Sequence, residues 1–225
     1  MAMTIQELLA QCKGGIGMTE RNVPKVMLGA KTETRRIEAC LRALVDVHSA
    51  IAKAETDRDG KRFFSIQNGI TFHKVYPRHQ VGDYLYVKEA LEQYNVHKSR
   101  PVFAVYKTDK DHVWTLGRDF RRWQSDDGKP WKNKVIPARY MPKSAARTFI
   151  EITDVRCERV QSISDADVRA EGVPKGNVDK WREWLHPSDC HGHAFGELWN
   201  DTNGKDAWER NDWVFAYTFK IVESS

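Results

Sequence analysis

Residues 29–36 read Gly29-Ala30-Lys31-Thr32-Glu33-Thr34-Arg35-Arg36, and this octapeptide decides how the rest of the chain is read. A glycine can adopt a backbone conformation that a Cβ resists, so Gly29 is expected to end a helix and aim the chain into a strand. Positions three apart on a regular strand point to opposite faces. Lys31 is therefore placed on the turn before the strand, with Thr34 and Arg36 sharing one strand face. The segment gathers a lysine, hydroxyls and two arginines within a few residues, which suits an anionic or carbonyl-bearing ligand.

The spacing Gly-x-Lys-x-x-(Glu/Thr)-x-Arg, here Gly29, Lys31, Thr34 and Arg36, resembles the signature of ASCH domains, small barrels of the PUA-like superfamily that handle RNA or nucleosides. Val81-Gly82-Asp83-Tyr84-Leu85-Tyr86-Val87 resembles the family's Gly-Asp-apolar strand. The strand and Ser-Ile-Ser-Asp-Ala-Asp-Val-Arg-Ala-Glu-Gly stretch within Ile150 to Gly172, and the closing strand Trp213 to Val222, follow in the family's order. The longer chain, with Trp131 to Arg147 and the Phe195 to Trp199 helix, also resembles ASCH proteins of phage and prophage genomes. The resemblance implies an α+β fold: a PUA-like mixed β-barrel with peripheral helices, one domain over residues 1–225, elaborated by insertions at about 38–76, 90–145 and 174–210.

The Lys-Thr-x-Thr-x-Arg form is similar to small bacterial amidohydrolases that remove acyl groups from N4 of cytidine. That resemblance implies a catalytic group of Lys31, Thr34 and Glu171, acting without a metal or other cofactor. A threonine hydroxyl is a poor nucleophile until a base takes its proton. Lysine can be that base if burial or neighbouring cations favour its neutral form. Glu171 would then serve the departing amine. Arg36, Arg35 and Thr32 would bind substrate, the arginines through planar donor forks. The plainer readings are a basic turn beside a solvated glutamate, and ion pairs of the arginines with Glu33 and Glu38.

Composition sets wide bounds. The chain has 225 residues, 40% of them hydrophobic, with eight tryptophans and a formal charge of +5, a mild excess that fits an anionic partner. No apolar run approaches the ~20 residues that span a bilayer. The chain opens with no signal-like segment, so a cytoplasmic location with four reduced, structural thiols (Cys12, Cys40, Cys157, Cys190) is expected. Neither a P-loop nor a Ser-His-Asp pattern is present.

Residues 98–147 carry thirteen Lys or Arg against five Asp, a local +8, interleaved with Phe103, Tyr106, Trp114, Phe120, Trp123, Trp131 and Tyr140. Basic groups can track a phosphate backbone while rings stack on unpaired bases, so Trp123, Trp131, Arg121 and Arg122 form a candidate single-stranded RNA surface. The same aromatics could equally pack on the fold. His186-Pro187-Ser188-Asp189-Cys190-His191-Gly192-His193 crowds metal-ligand types together but lacks the second spaced pair of zinc sites, and is read as a polar loop with no metal.

Helices are expected at Thr4 to Cys12, Thr19 to Leu28, Glu38 to Glu55 and Ser164 to Ala170. Strands are expected at Arg62 to Gln67, Ile70 to Tyr76, Asp83 to Glu89, Pro101 to Lys107, Arg147 to Glu158 and Trp213 to Val222, with Asn68-Gly69 turning a hairpin. Three activities fit this sequence: N4-acylcytidine hydrolysis, non-catalytic binding of a cytidine-type nucleoside or single-stranded RNA, and ribonuclease action from the same cationic cluster. The oligomeric state stays open.

Overall fold

The computed structural model describes residues 3–42, 44, 52–68, 70–94, 103–111, 113 and 135–223. In chain order it contains α1 (Ile5–Gln11), β1 (Gly14–Gly17), α2 (Val23–Met27), β2 (Glu33–Arg36), α3 (Ala39–Arg42), β3 (Ala52–Thr56), β4 (Arg62–Asn68) and β5 (Thr71–Val75). It continues through β6 (Tyr84–Lys88), β7 (Leu91–Tyr94), β8 (Phe103–Tyr106), β9 (Val135–Ile136), β10 (Phe149–Arg159), α4 (Asp165–Ala170), α5 (Lys175–Asp179), α6 (Pro187–Asn203) and β11 (Trp213–Val222). The protein is thus a mixed α and β chain built on several small sheets. Two compact units divide it, Met1–Gly29 with Asp83–Glu151 and Ile221–Ser225, and Ala30–Gly82 with Ile152–Lys220.

In the first unit Thr4 and Glu7 cap α1 reciprocally, each side chain accepting from the other's backbone N–H at 3.3 and 2.8 Å. β1 runs parallel to β6, whose antiparallel neighbour is the opening of β10, with Phe149 opposite Tyr86. Gly15 stands opposite Tyr86, and a Cβ there would come within 2.6 Å of the tyrosine ring. β8, β7 and β9 form a second ladder in that order. Leu8, Leu91, Tyr106, Ile136, Met141 and Phe149 make this unit's apolar core.

In the second unit β10, β11 and β2 lie side by side, with Thr34 opposite Tyr217 and Arg36 opposite Phe215. β3, β4 and β5 form an antiparallel meander. Its inner face packs through Phe64 on Phe215, ring centroids 5.7 Å apart. Val160, Val168, Phe195, Trp199 and Val214 fill a further cluster, with Trp208 against it. The strand pairings among the described residues are open ladders and do not themselves close a barrel.

Two expectations are corrected. Of the helix expected over Glu38 to Glu55 the described residues contain α3; residues 43 and 45–51 lie outside the described set, and Ala52–Thr56 is a strand paired with β4. Alanine, lysine and glutamate favour helix locally, but pairing with a neighbouring strand overrides so weak a preference. The His186 to His193 segment is the start of α6, not a loop: Pro187 occupies the first turn, where its missing N–H costs nothing. The Asn68-Gly69 hairpin is supported by the pairing of Asn68 with Thr71, although Gly69 itself lies outside the described residues.

Candidate functional site

α2 ends at Met27 with Leu28 as its C-cap, and Gly29 follows with φ +69°, the left-handed conformation expected of it. β2 begins only at Glu33, so Lys31 stands on the preceding turn. The Thr32 N–H donates to the Ala170 carbonyl at 2.8 Å, and the Thr32 carbonyl accepts from Phe219 N–H at 2.8 Å, tying this turn to the end of α4 and to β11. α4 is capped by Ser164, whose hydroxyl accepts from Asp167 N–H at 3.2 Å while Asp167 accepts in return. Glu171 is the C-cap of α4, and Gly172 follows with φ +75°.

Lys31 and Glu171, 140 positions apart, meet in the interior. The Lys31 ammonium, 2% exposed, donates to the Glu171 carboxylate and, at 2.9 Å, to the Glu171 carbonyl. The other Glu171 oxygen lies 3.3 Å from Arg35 Nη1. Glu171 is buried, so it is not the solvated glutamate of the plainer reading. Thr34 is also buried, but among the described residues its hydroxyl is not a hydrogen-bond partner of Lys31 or Glu171. Alternation along β2 sends Thr34 and Arg36 to the face opposite Glu33 and Arg35, as their register against β11 requires.

Arg35 makes the ion pair with Glu33 that the plainer reading offered, but buried and within a larger group of carboxylates. Its guanidinium is enclosed by Glu33 at 2.6 Å, Glu158 at 2.7 Å, Asp167 at 3.3 Å and Glu171 at 3.3 Å. Burial pulls its pKa down, but Glu171, Glu33 and Glu158 outweigh that and hold it above the ordinary value. Arg156 joins the same group, 2.6 Å from Glu33 and 3.2 Å from Asp167. Lys31, Arg35 and Arg156 thus face Glu33, Glu158, Asp167 and Glu171, so the cluster is not a bare cationic pocket. Desolvation of each buried ion is offset only because every one has close partners. Burial nonetheless raises the Glu33 carboxyl against the pull of Arg35 and Arg156. Arg36, on the other strand face, has its pKa lowered by burial against opposing effects of Glu171, Tyr217 and Glu38.

Glu38 sits beside this group, accepting from the Tyr217 hydroxyl and, at 2.9 Å, from Arg78 N–H. Burial raises its pKa. Sequence reading passed over Arg156, Glu158 and Tyr217, and took Asp167 for the helix-capping partner of Ser164 that it also is. Arg156 and Glu158 project from one face of β10 at i and i+2, a charged alternation visible in Asp154-Val155-Arg156-Cys157-Glu158.

Trp123, Trp131, Arg121 and Arg122 lie outside the described residues. Among the described part of 98–147, Lys107 pairs with Glu20 at 2.7 Å, Lys110 with Glu92, and Arg147 with Glu89 at 2.7 Å and Asp109 at 2.8 Å. Arg147 also lies over the buried Tyr106 ring at 3.7 Å. Some of the local positive charge is therefore consumed by neighbours. The α6 histidines diverge: His191 approaches Asp165 at 3.1 Å and Arg169 at 3.3 Å, while the His193 ring meets Trp181 at 5.3 Å. Positions two apart on a helix do not share a face. Among the described residues no group of three or more His, Cys, Asp or Glu is placed to hold a metal ion, and no helix is long and apolar enough to cross a membrane. All four cysteines are free.

No family model and no curated protein sequence matches the chain. Among solved structures, the chain is similar to a high-resolution crystal structure of an ASCH domain from Lactobacillus crispatus JV V101, at 12% identity and a TM-score of 0.37, over 97% of this chain and 91% of that one.

Proposed function

We propose that this is an ASCH-type protein with a PUA-like core that recognises a cytidine-type nucleoside, free or within single-stranded RNA, and hydrolyses an N4-acyl amide on it. The observation that carries the reading is the buried Lys31–Glu171 pair beside the strand that bears Thr34. With the proton on Glu171, neutral Lys31 accepts the Thr34 proton as Oγ1 attacks the acyl carbonyl. Glu171 gives its proton to N4 as the C–N bond breaks, leaving acyl-Thr34, cytidine, an ammonium and a carboxylate. Water then attacks the ester, its proton passes to Glu171, Lys31 reprotonates Thr34 Oγ1, and the acid departs. Arg36 and Thr32 orient the base, and Arg35 holds Glu171 in place. We read the chain as one domain with insertions at about 38–76, 90–145 and 174–210, working in the cytoplasm.

A second reading rests on the Thr34 hydroxyl standing outside the Lys31–Glu171 hydrogen bonds. In that reading the pair fastens the end of α4 to the turn before β2, and the protein binds nucleoside or RNA without turning it over.

Incubation with a panel of N4-acylcytidines and mass spectrometry of the products tests both. Hydrolysis by the wild type, lost in Thr34→Ala and in Lys31→Arg with folding retained, is expected of the enzyme, because arginine stays protonated and cannot act as a base. Turnover that survives in Thr34→Ala removes the covalent route. Absence of turnover across the panel with retained cytidine affinity selects the binding reading.

A further inference from the structure

The β3–β4–β5 meander has an inner face and an outer face, and the register decides which residues share each. Lys53, Ser65 and Lys74 lie side by side, as do Gln67 and Phe72, and Glu55 and Phe63, all on the face opposite Phe64, Ile66 and Val75. The latter three are buried against the fold; on the other face Lys53, Gln67, Phe72 and Lys74 are exposed, while Phe63 is covered, with Tyr76 5.6 Å from its ring. On this outer face Phe72 is 66% exposed and Tyr76, just past β5, is 40% exposed.

The charges around these rings are unequal in what remains to them. The Glu55 carboxylate accepts from the Ser65 hydroxyl at 2.6 Å. The Asp57 carboxylate accepts from the Tyr76 hydroxyl at 3.1 Å and from two backbone N–H groups, of Asp59 and Lys61. The Lys74 ammonium instead lies 3.7 Å from the centre of the Phe63 ring and 5.1 Å from that of Tyr76. Lys53 and Lys74 are both exposed.

From this juxtaposition we propose that the outer face of the β3–β4–β5 sheet is a stacking platform for a short run of single-stranded RNA, with Phe72 and Tyr76 stacking bases and Lys74 between them meeting phosphate. Two stacked rings four residues apart along a strand are about 13 Å from one another, room for bases flanking an intervening phosphate. Aromatic rings present every base with a stacking surface, and lysines neutralise the backbone, so binding is sequence-tolerant and salt-dependent. Lysine over a ring is easily exchanged for a base, since an exposed cation–π contact contributes only about 0.5–1 kcal/mol. The platform is distinct from the Lys31–Glu171 cluster and stands whether or not that cluster is catalytic.

The test is fluorescence anisotropy of a labelled single-stranded RNA octamer with the whole chain. Phe72→Ala and Tyr76→Ala should each weaken binding roughly 5- to 150-fold. Lys74→Met should flatten the slope of log affinity against log salt by about 0.7. Phe72→Trp should keep the affinity, which separates stacking from folding, and the thermal midpoint of each variant checks the fold. Phe72→Ala should leave hydrolysis of a free N4-acylcytidine unchanged, so the two proposals fail independently. Unchanged RNA affinity in the alanine variants, or no binding by the wild type, overturns the platform. So does sedimentation showing a dimer that Phe72→Ala dissociates, since the face is then occupied by a second copy.

Discussion

Glu171→Gln should leave the Lys31 ammonium buried beside a neutral amide and remove one of the carboxylates around Arg35. Breaking a buried pair by one partner costs about 3–5 kcal/mol, whereas replacing both partners by apolar groups is often close to neutral. Urea denaturation should therefore find Lys31→Met with Glu171→Leu more stable than Glu171→Gln alone; the reverse order would mean the pair is more exposed to water than its burial indicates. Glu38 gives a pH prediction. Its folded pKa is raised above 4.5 by burial, so the folded state binds this proton more tightly than the unfolded state. The stability it contributes is complete below the unfolded value and is lost as pH rises through the folded one. Between pH 4 and pH 7 the wild type should lose stability relative to Glu38→Gln, and a constant difference would count against the shift. The meeting of Lys31 with Glu171 was legible through the two separate stretches that carry them, and so was the position of Lys31 ahead of the strand, whereas the Thr34 hydroxyl stands outside their hydrogen bonds. The enclosure of Arg35 was not legible, because its carboxylates come from β2, β10, α4 and the end of α4, and no local pattern links them.

At the level of elements, α4 is the part whose ends matter most. Gly172 has φ +75°, and an L-residue in that region costs about 1–2 kcal/mol. Gly172→Ala should destabilise the protein by that amount in thermal or urea unfolding; a variant with full stability would show that the turn relaxes freely. Element boundaries were readable wherever a chemical stop marks them: Thr4 and Ser164 at helix starts, Gly29 after α2, the hairpin turn between β4 and β5. β3 was misread because Ala52-Lys53-Ala54-Glu55 has no stop signal and its strand state depends on β4, which the local sequence does not contain. α6 was misread at its start because histidine, aspartate and glycine there are weak helix formers. The packing of Ala194, Phe195 and Trp199 further along holds the helix in place.

For the molecule as a whole, the charge of 98–147 bears on substrate scale. If the segment tracks a polymer, RNA affinity should fall with salt by about 0.7 log units per log unit for each phosphate neutralised. Trp123→Ala or Trp131→Ala should then cost about 1–3 kcal/mol of RNA binding while sparing hydrolysis of the free nucleoside. Loss of thermal stability together with both activities would instead make these tryptophans part of the core. The division into two units was not readable from composition, since each unit is stitched from separated stretches and no linker-like sequence marks the crossings.

Among the described residues β2 pairs with β11, and Lys31 meets the carboxylate of Glu171. A ribosome adds about 5–20 residues per second, so β2 waits roughly 10–40 s after its own synthesis for the strand that receives it. During that interval Lys31, Thr34 and Arg35 are part of a nascent chain in which β11 has not yet been made. The cluster is thus assembled only once both α4 and β11 have been made, so the order of synthesis sets when its geometry first exists.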